Sequence, residues 1–100
     1  MLRLRLYVAG DAPNSLLARR NLRALLAAHC EGAYELDVVD CLREPERALR
    51  DGVLVTPTLL RLAPPPPRTV VGSLAQTDRV LAALGLAPAE APVEAGDVRR

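Results

Sequence analysis

Residues 2 to 8, LRLRLYV, alternate strictly: Leu2, Leu4, Leu6 and Val8 on one side, Arg3, Arg5 and Tyr7 on the other. A period of two is the pattern of a strand that buries one face. Gly10 to Asn14 then breaks the pattern. Pro13 stands where a first helical residue often stands, and Asn14 or Ser15 is placed to cap. From there the apolar positions take helical spacing, with Ala18, Leu22, Leu25 and Leu26 on one stripe and Arg19, Arg20 and Arg23 mostly off it. This predicts a helix to about His29, stopped near Gly32. Tyr34 to Val39 reads as a second strand, with Glu35 and Asp37 outward. Pro45 to Arg50 reads as a short helix, and Val53 to Leu62 as a third strand interrupted by Pro57. Pro64 to Pro67 is stiff, extended and closed to helix, a rigid connector. Thr69 to Val71 reads as a short fourth strand. Ser73 is placed to cap a last helix over Leu74 to Leu84, ended by Gly85.

The order is β-α-β-α-β-β-α, and the first β-α-β requires a right-handed crossover and a parallel pair. The expected fold class is α/β, a thioredoxin-like single domain over residues 1–86. Residues 87–100 are Ala, Pro, Glu and Arg without periodicity and are expected to form a disordered tail.

Composition narrows the picture. The chain has 100 residues, half of them hydrophobic, but no Phe, no Trp and only two Tyr, so Leu, Val and Ala must fill the core. All 13 basic side chains are arginine and the net charge is +1, which argues against nonspecific nucleic-acid binding. No run of about 18 apolar residues exists, so no membrane span is expected. The start lacks a signal-peptide core, and a cytoplasmic protein is expected. Cys30 and Cys41 match no zinc or redox spacing. His29 is the only histidine and points away from its neighbour Cys30 on a helix. No metal site and no cofactor is expected.

The frame of strand, proline turn, helix and later Thr56-Pro57-Thr58 resembles thioredoxins and glutaredoxins, which carry Cys-Pro-x-Cys at the first turn. Here those four places read Ala12-Pro13-Asn14-Ser15. Thiol–disulfide exchange needs a thiolate at that helix N-terminus, so no enzyme of this kind is expected. Pro57 is expected as the cis proline of such a frame, the alternative being an edge-strand proline. GDAPNS lacks the glycines and lysine of a phosphate loop.

LRLYVAGDAPNS, AYELDVVDCLREPERA, VLVTPTLLRLAPPPPRTVVGSL and RVLAALGL together resemble the KaiB family. The resemblance covers roughly residues 3–86. It implies a non-catalytic, bacterial binding protein of the circadian clock type. Family members dock on the N-terminal ring of a KaiC-type hexameric ATPase and compete there with a sensor domain of a clock-output histidine kinase. In full clocks they also capture KaiA. The resemblance also implies exchange between a thioredoxin-like binding fold and a ground-state fold, often tetrameric, that differs after about residue 50. On that basis the contact surface is expected at Tyr7, Ala9, Asn14, Arg20, Arg43, Arg61 and Arg68, with Pro57, Gly72 and Ser73 as structural positions of the refolding half. Some positions depart from the family pattern. Its Gly-Asp-Leu-Ser reads Gly72-Ser73-Leu74-Ala75, its second-strand lysine is Asp37, a helix arginine is Leu17, and one arginine after the prolines is Thr69. The alternative reading is a divergent adaptor in stress or two-component signalling.

Overall fold

The computed structural model describes residues 1–30 and 32–86; the expected tail, residues 87–100, lies outside them. The elements are β1 (Leu2–Val8), α1 (Pro13–His29), β2 (Tyr34–Asp40), α2 (Pro45–Arg50), β3 (Thr58–Ala63), β4 (Arg68–Val71) and α3 (Thr77–Leu84). They form one mixed sheet of order β2-β1-β3-β4. β1 pairs parallel with β2, Leu4 beside Leu36 and Tyr7 beside Val39, and antiparallel with β3, Tyr7 beside Thr58. The predicted order and the parallel first pair are both present.

The alternation of β1 divides the core in two. Leu2, Leu4, Leu6 and Val8 join Ala18, Leu22, Leu25 and Leu26 of α1, Leu59 of β3 and Val80, Leu81 and Leu84 of α3 in the larger cluster. Tyr7, Val39 and Ala48 form a smaller cluster beneath α2. So α1 and α3 cover one face of the sheet, and α2 the other. The larger cluster contains no aromatic side chain among its buried members, as composition required.

Three local expectations are corrected. Strand β3 starts at Thr58, not Val53. The Gly72 N–H donates to the Pro57 carbonyl at 2.9 Å, and Pro57 has no N–H to return the bond, so the ladder is closed on one side only. The Thr56–Pro57 bond is cis, as expected; Ala63–Pro64 and Pro65–Pro66 are cis as well. Helix α3 starts at Thr77 with Gln76 at its N-cap, so Ser73 caps nothing. Leu74 instead takes a left-handed backbone, φ +63°, which places its side chain in the larger core. Helix α1 begins at Pro13 as expected, but Ala12 holds the N-cap position with no side-chain cap bond. Neither Asn14 nor Ser15 caps, because Ser15 is one turn too late and its Oγ accepts the Ala9 N–H at 3.0 Å instead.

Candidate functional site

The end of the sheet at which β1 and β2 finish carries most of the expected surface. Gly10, at φ +52°, turns the chain from β1 into α1. Its N–H donates to Asp40 Oδ1 at 3.0 Å, and the same oxygen accepts the Leu42 N–H at 2.9 Å. These two bonds hold the Asp40 carboxyl below the usual carboxylate range, with Arg43 and Arg19 adding to the effect. They also fix the β2–α2 turn against the β1–α1 turn. Asn14, Arg43 and half-buried Ala9 are thereby gathered at one end, with exposed Arg20 further along α1. Leu42 and Leu54 are exposed apolar side chains, 72% and 91%, in the segments that follow β2 and α2.

Three of the expected contact residues do not belong to that surface. Tyr7 is fully buried. Its hydroxyl lies 2.6 Å from Asp51 Oδ2 and 2.9 Å from the Arg47 carbonyl, so it anchors α2. Arg61 is also buried, because odd-numbered positions of β3 face α1 and α3. Its Nη2 donates to the Pro66 carbonyl at 2.6 Å, and a Cβ at Gly85 would sit 3.2 Å from its Nη1. Arg61 therefore pins the proline run beside the end of α3, with Nε unpartnered among the described residues. Arg68 is exposed but pairs with Arg61 at the opposite end of β3 from Thr58. About 10 Å of strand separates it from the other group.

A polar network under α2 went unread in the sequence. Arg5 Nε donates to Asp37 Oδ2 at 3.2 Å and Arg5 Nη1 to Asp51 Oδ2 at 2.9 Å. Arg47 Nη2 donates to the same Asp37 oxygen, and an exposed pair, Arg3 with Glu35 at 3.1 Å, continues the row along β1 and β2. The Asp37 carboxyl is pushed up by burial, but bonds from Arg47 and Arg5 outweigh this and hold it low. Asp51 is held low by the Tyr7 hydroxyl, against burial and with help from Arg5. Tyr7 is pushed up to about 12, by burial first and Asp51 second. The available signal was the alternation itself: Arg3 and Arg5 face Glu35 and Asp37 once β1 and β2 are placed in parallel register.

These shifts predict the pH profile. Asp37 and Asp51 hold protons more weakly folded than unfolded. Their stabilisation is complete above the ordinary carboxylate value, near ~4, and is lost as pH falls through the depressed folded values. Tyr7 has the opposite sign: its contribution is complete below about 10 and is lost as pH rises through about 12. Urea midpoints should be flat near neutrality and fall on both sides, and Tyr7→Phe should shorten the alkaline fall. An alkaline limb unchanged in Tyr7→Phe would assign it to other groups.

The first-turn positions offer no thiol chemistry. Ala12 has no nucleophile and Ser15 is buried, its oxygen engaged with Ala9. Cys30 packs on the larger cluster and Cys41 on the smaller, on opposite faces of the sheet. Burial pushes both thiols up, Cys41 further by Asp40.

Against known families, residues 5–86 match the model of the KaiB domain. The chain belongs to the KaiB family. It is 46% identical over 83 residues to the circadian clock oscillator protein KaiB of Synechococcus sp. (strain CC9311), covering 83% of this chain and 70% of that one. Identity to the protein of the same name from Nostoc punctiforme is also 46%, over 83% and 80% of the two chains. Among solved structures, the N-terminal domain of Synechococcus elongatus SasA superposes with TM-score 0.67 at 25% identity, over 81% and 76%. Mitochondrial thioredoxin 3 of Saccharomyces cerevisiae superposes with TM-score 0.68 at 13% identity, over 84% and 76%, and speaks for the fold alone. This KaiB-family chain thus has the thioredoxin-like arrangement read from its element order.

Proposed function

We propose that this protein is a non-catalytic, KaiB-type component of a bacterial circadian clock. It binds a KaiC-type hexameric ATPase reversibly and so modulates that enzyme's phosphorylation and ATPase cycle. The observation that carries the reading is the conversion of a thioredoxin frame into a surface without sulfur. The turn is kept, with Pro13 and cis Pro57, while Ala12 and the engaged Ser15 stand where thiols would be. That end of the molecule carries Asn14, Arg43 and exposed Leu42, with Arg20 further along α1 and Leu54 exposed in the segment after α2. Apolar side chains with arginines around them suit a partner with an acidic, partly apolar surface. Ala9 belongs to this proposed surface through its turn, and Arg68 offers a second, separate contact. The likeness to the SasA N-terminal domain fits competition between this chain and a histidine-kinase sensor domain for one place on the ATPase. KaiA remains a proposed partner where the organism has one. The place of action is the cytoplasm; no helix of the described residues is long and apolar enough to cross a membrane.

The deciding experiment is co-migration with the KaiC-type ATPase of the same genome in gel filtration, with ATP or ADP, followed over hours. A slowly forming complex supports the proposal. No complex between folded proteins at high concentration favours the adaptor reading, to which Asp37, Ser73 and Thr69 point as departures from the family pattern.

Slow binding is expected if only a fraction of molecules is binding-competent, since apparent affinity falls by that fraction. The segment between β4 and α3 is the place to test this. Gly72 has φ +110°, and the Ser73 carbonyl accepts the Asn21 side-chain N–H at 2.8 Å, tying the segment to α1. Ser73→Asp, which restores the family's aspartate, should change the rate of complex formation or the oligomeric state. Unchanged kinetics with an unchanged gel-filtration profile would sink this expectation.

A further inference from the structure

We propose that the free edge of β4 is a docking site for an extended peptide segment in which acidic residues flank an apolar one. In the β3–β4 pair, Thr58 stands beside Val71, Leu59 beside Val70 and Arg61 beside Arg68. The Gly72 N–H bonds to the Pro57 carbonyl. Bonded pairs alternate along an antiparallel ladder. Gly72, Val70 and Arg68 therefore turn their main-chain groups toward β3, and Thr69 and Val71 turn theirs outward. Among the described residues β4 is the last strand of the sheet, and Val71 is 60% exposed.

Beside this edge lies a cleft of about 580 Å³ between β4 and α3, floored by Val70, Leu74, Val80 and Ala83. A strand that bonds to Thr69 and Val71 sets its middle residue opposite Val70, on the cleft side. Its neighbours two places away stand opposite Arg68 and Gly72, on the same side. Arg68 is exposed at one end. Arg79 lines the cleft from the first turn of α3, which begins five residues after Gly72. Among the described residues neither arginine is in an ion pair; Arg79 bonds only to Gln76, at 2.9 Å. Among the described residues no carboxylate lines the cleft. The complementary ligand reads acid, any, apolar, any, acid. A second copy of this chain would satisfy the same main-chain groups around a dyad, but it would set two Arg79 side chains across that dyad with no carboxylate between them. The site lies on the opposite edge of the sheet from β2 and shares only Arg68 with the surface proposed for the ATPase, so Arg79 and the β4 main chain test it separately.

The test is an NMR titration of the isotope-labelled full chain with a blocked Glu-Thr-Val-Thr-Glu peptide, and with its lysine-for-glutamate counterpart. Saturable shifts centred on Thr69 to Val71 and Arg79, for the acidic peptide only, are expected. Arg79→Glu should weaken binding roughly tenfold. Val71→Pro should abolish it, because it deletes an outward N–H and no bond to β3. Should Val71→Pro unfold the chain, Arg79→Glu and the lysine peptide decide. Shifts only elsewhere, equal binding of the lysine peptide, or affinity indifferent to the folded variants overturns the proposal. Concentration-dependent self-association that Val71→Pro abolishes, without peptide binding, assigns the edge to a second copy and overturns it equally.

Discussion

Leu22→Ala is expected to lower the unfolding free energy by roughly 3 kcal/mol, within the range for buried leucine truncations, and the melting temperature by ~15 °C. Leu22 is fully buried in the middle of the α1 stripe, in the cluster that joins α1 to the inward face of β1. That strand is held on both sides, by β2 and by β3, so it cannot move into the vacated volume. The buried members of this cluster are all Leu, Val or Ala, and the ring packed against it, that of Tyr34, is only partly buried, so no buried ring is there to tilt into the gap, and the cavity cost adds to the lost burial. A chain of this size has a stability on the order of 5–10 kcal/mol, so the loss is a large part of the whole. Leu17→Ala is the control, because Leu17 lies on the same helix but off the stripe and is 38% exposed. It should cost under about 1 kcal/mol. Urea unfolding with a shared m-value checks both. A Leu22→Ala loss no larger than that of Leu17→Ala would show that this core collapses onto its gaps, against the reading of β1 as a rigid floor.

The same stripe explains why much of the fold was legible. Period two in β1 and the 18-22-25-26 spacing in α1 state which side chains face inward, and these sides meet in the larger cluster. The elements misread lie where main-chain bonding, not side-chain pattern, decides. Val53 to Pro57 are apolar enough for strand, yet the ladder starts only after Pro57, which has no N–H to give. Leu74 sits at helical spacing from Leu81 and is buried with it, but it reaches that place from a left-handed turn. Hydropathy reports burial and not the backbone that delivers it.

Two of the expected contact residues, Tyr7 and Arg61, are buried. Tyr7 and Arg61 look like surface groups because each carries a polar end. Both are amphipathic and bury their bodies while the polar tip finds a partner inside the chain, Asp51 for one and the Pro66 carbonyl for the other. Those partners are 44 and 5 residues away in sequence. The second lies within a window that could be searched; the first depends on the placing of α2, which no local pattern supplies.

Asp37→Lys, which restores the lysine of the family pattern, is expected to destabilise the fold by roughly 2 kcal/mol and not to improve partner binding. Asp37 bonds to both Arg5 and Arg47. Its side chain is 45% exposed, so each pair is screened and is worth at most about 1 kcal/mol. Reversal removes two attractions and adds two repulsions, and it leaves Arg5 and Arg47 to compete for Asp51 and Glu44. Arg47→Glu in the Asp37→Lys background should restore at least half of the loss, and the four proteins of the cycle isolate the pairwise coupling. Amide exchange should accelerate first in α2, because Arg47 and Asp51 are the groups that fasten it to the sheet. If Asp37→Lys is neutral and α2 exchanges no faster, the network is only a solvated face and the aspartate is drift. If the loss and its rescue are both seen, the position at which the family pattern has a lysine has become, in this chain, part of what holds α2 down.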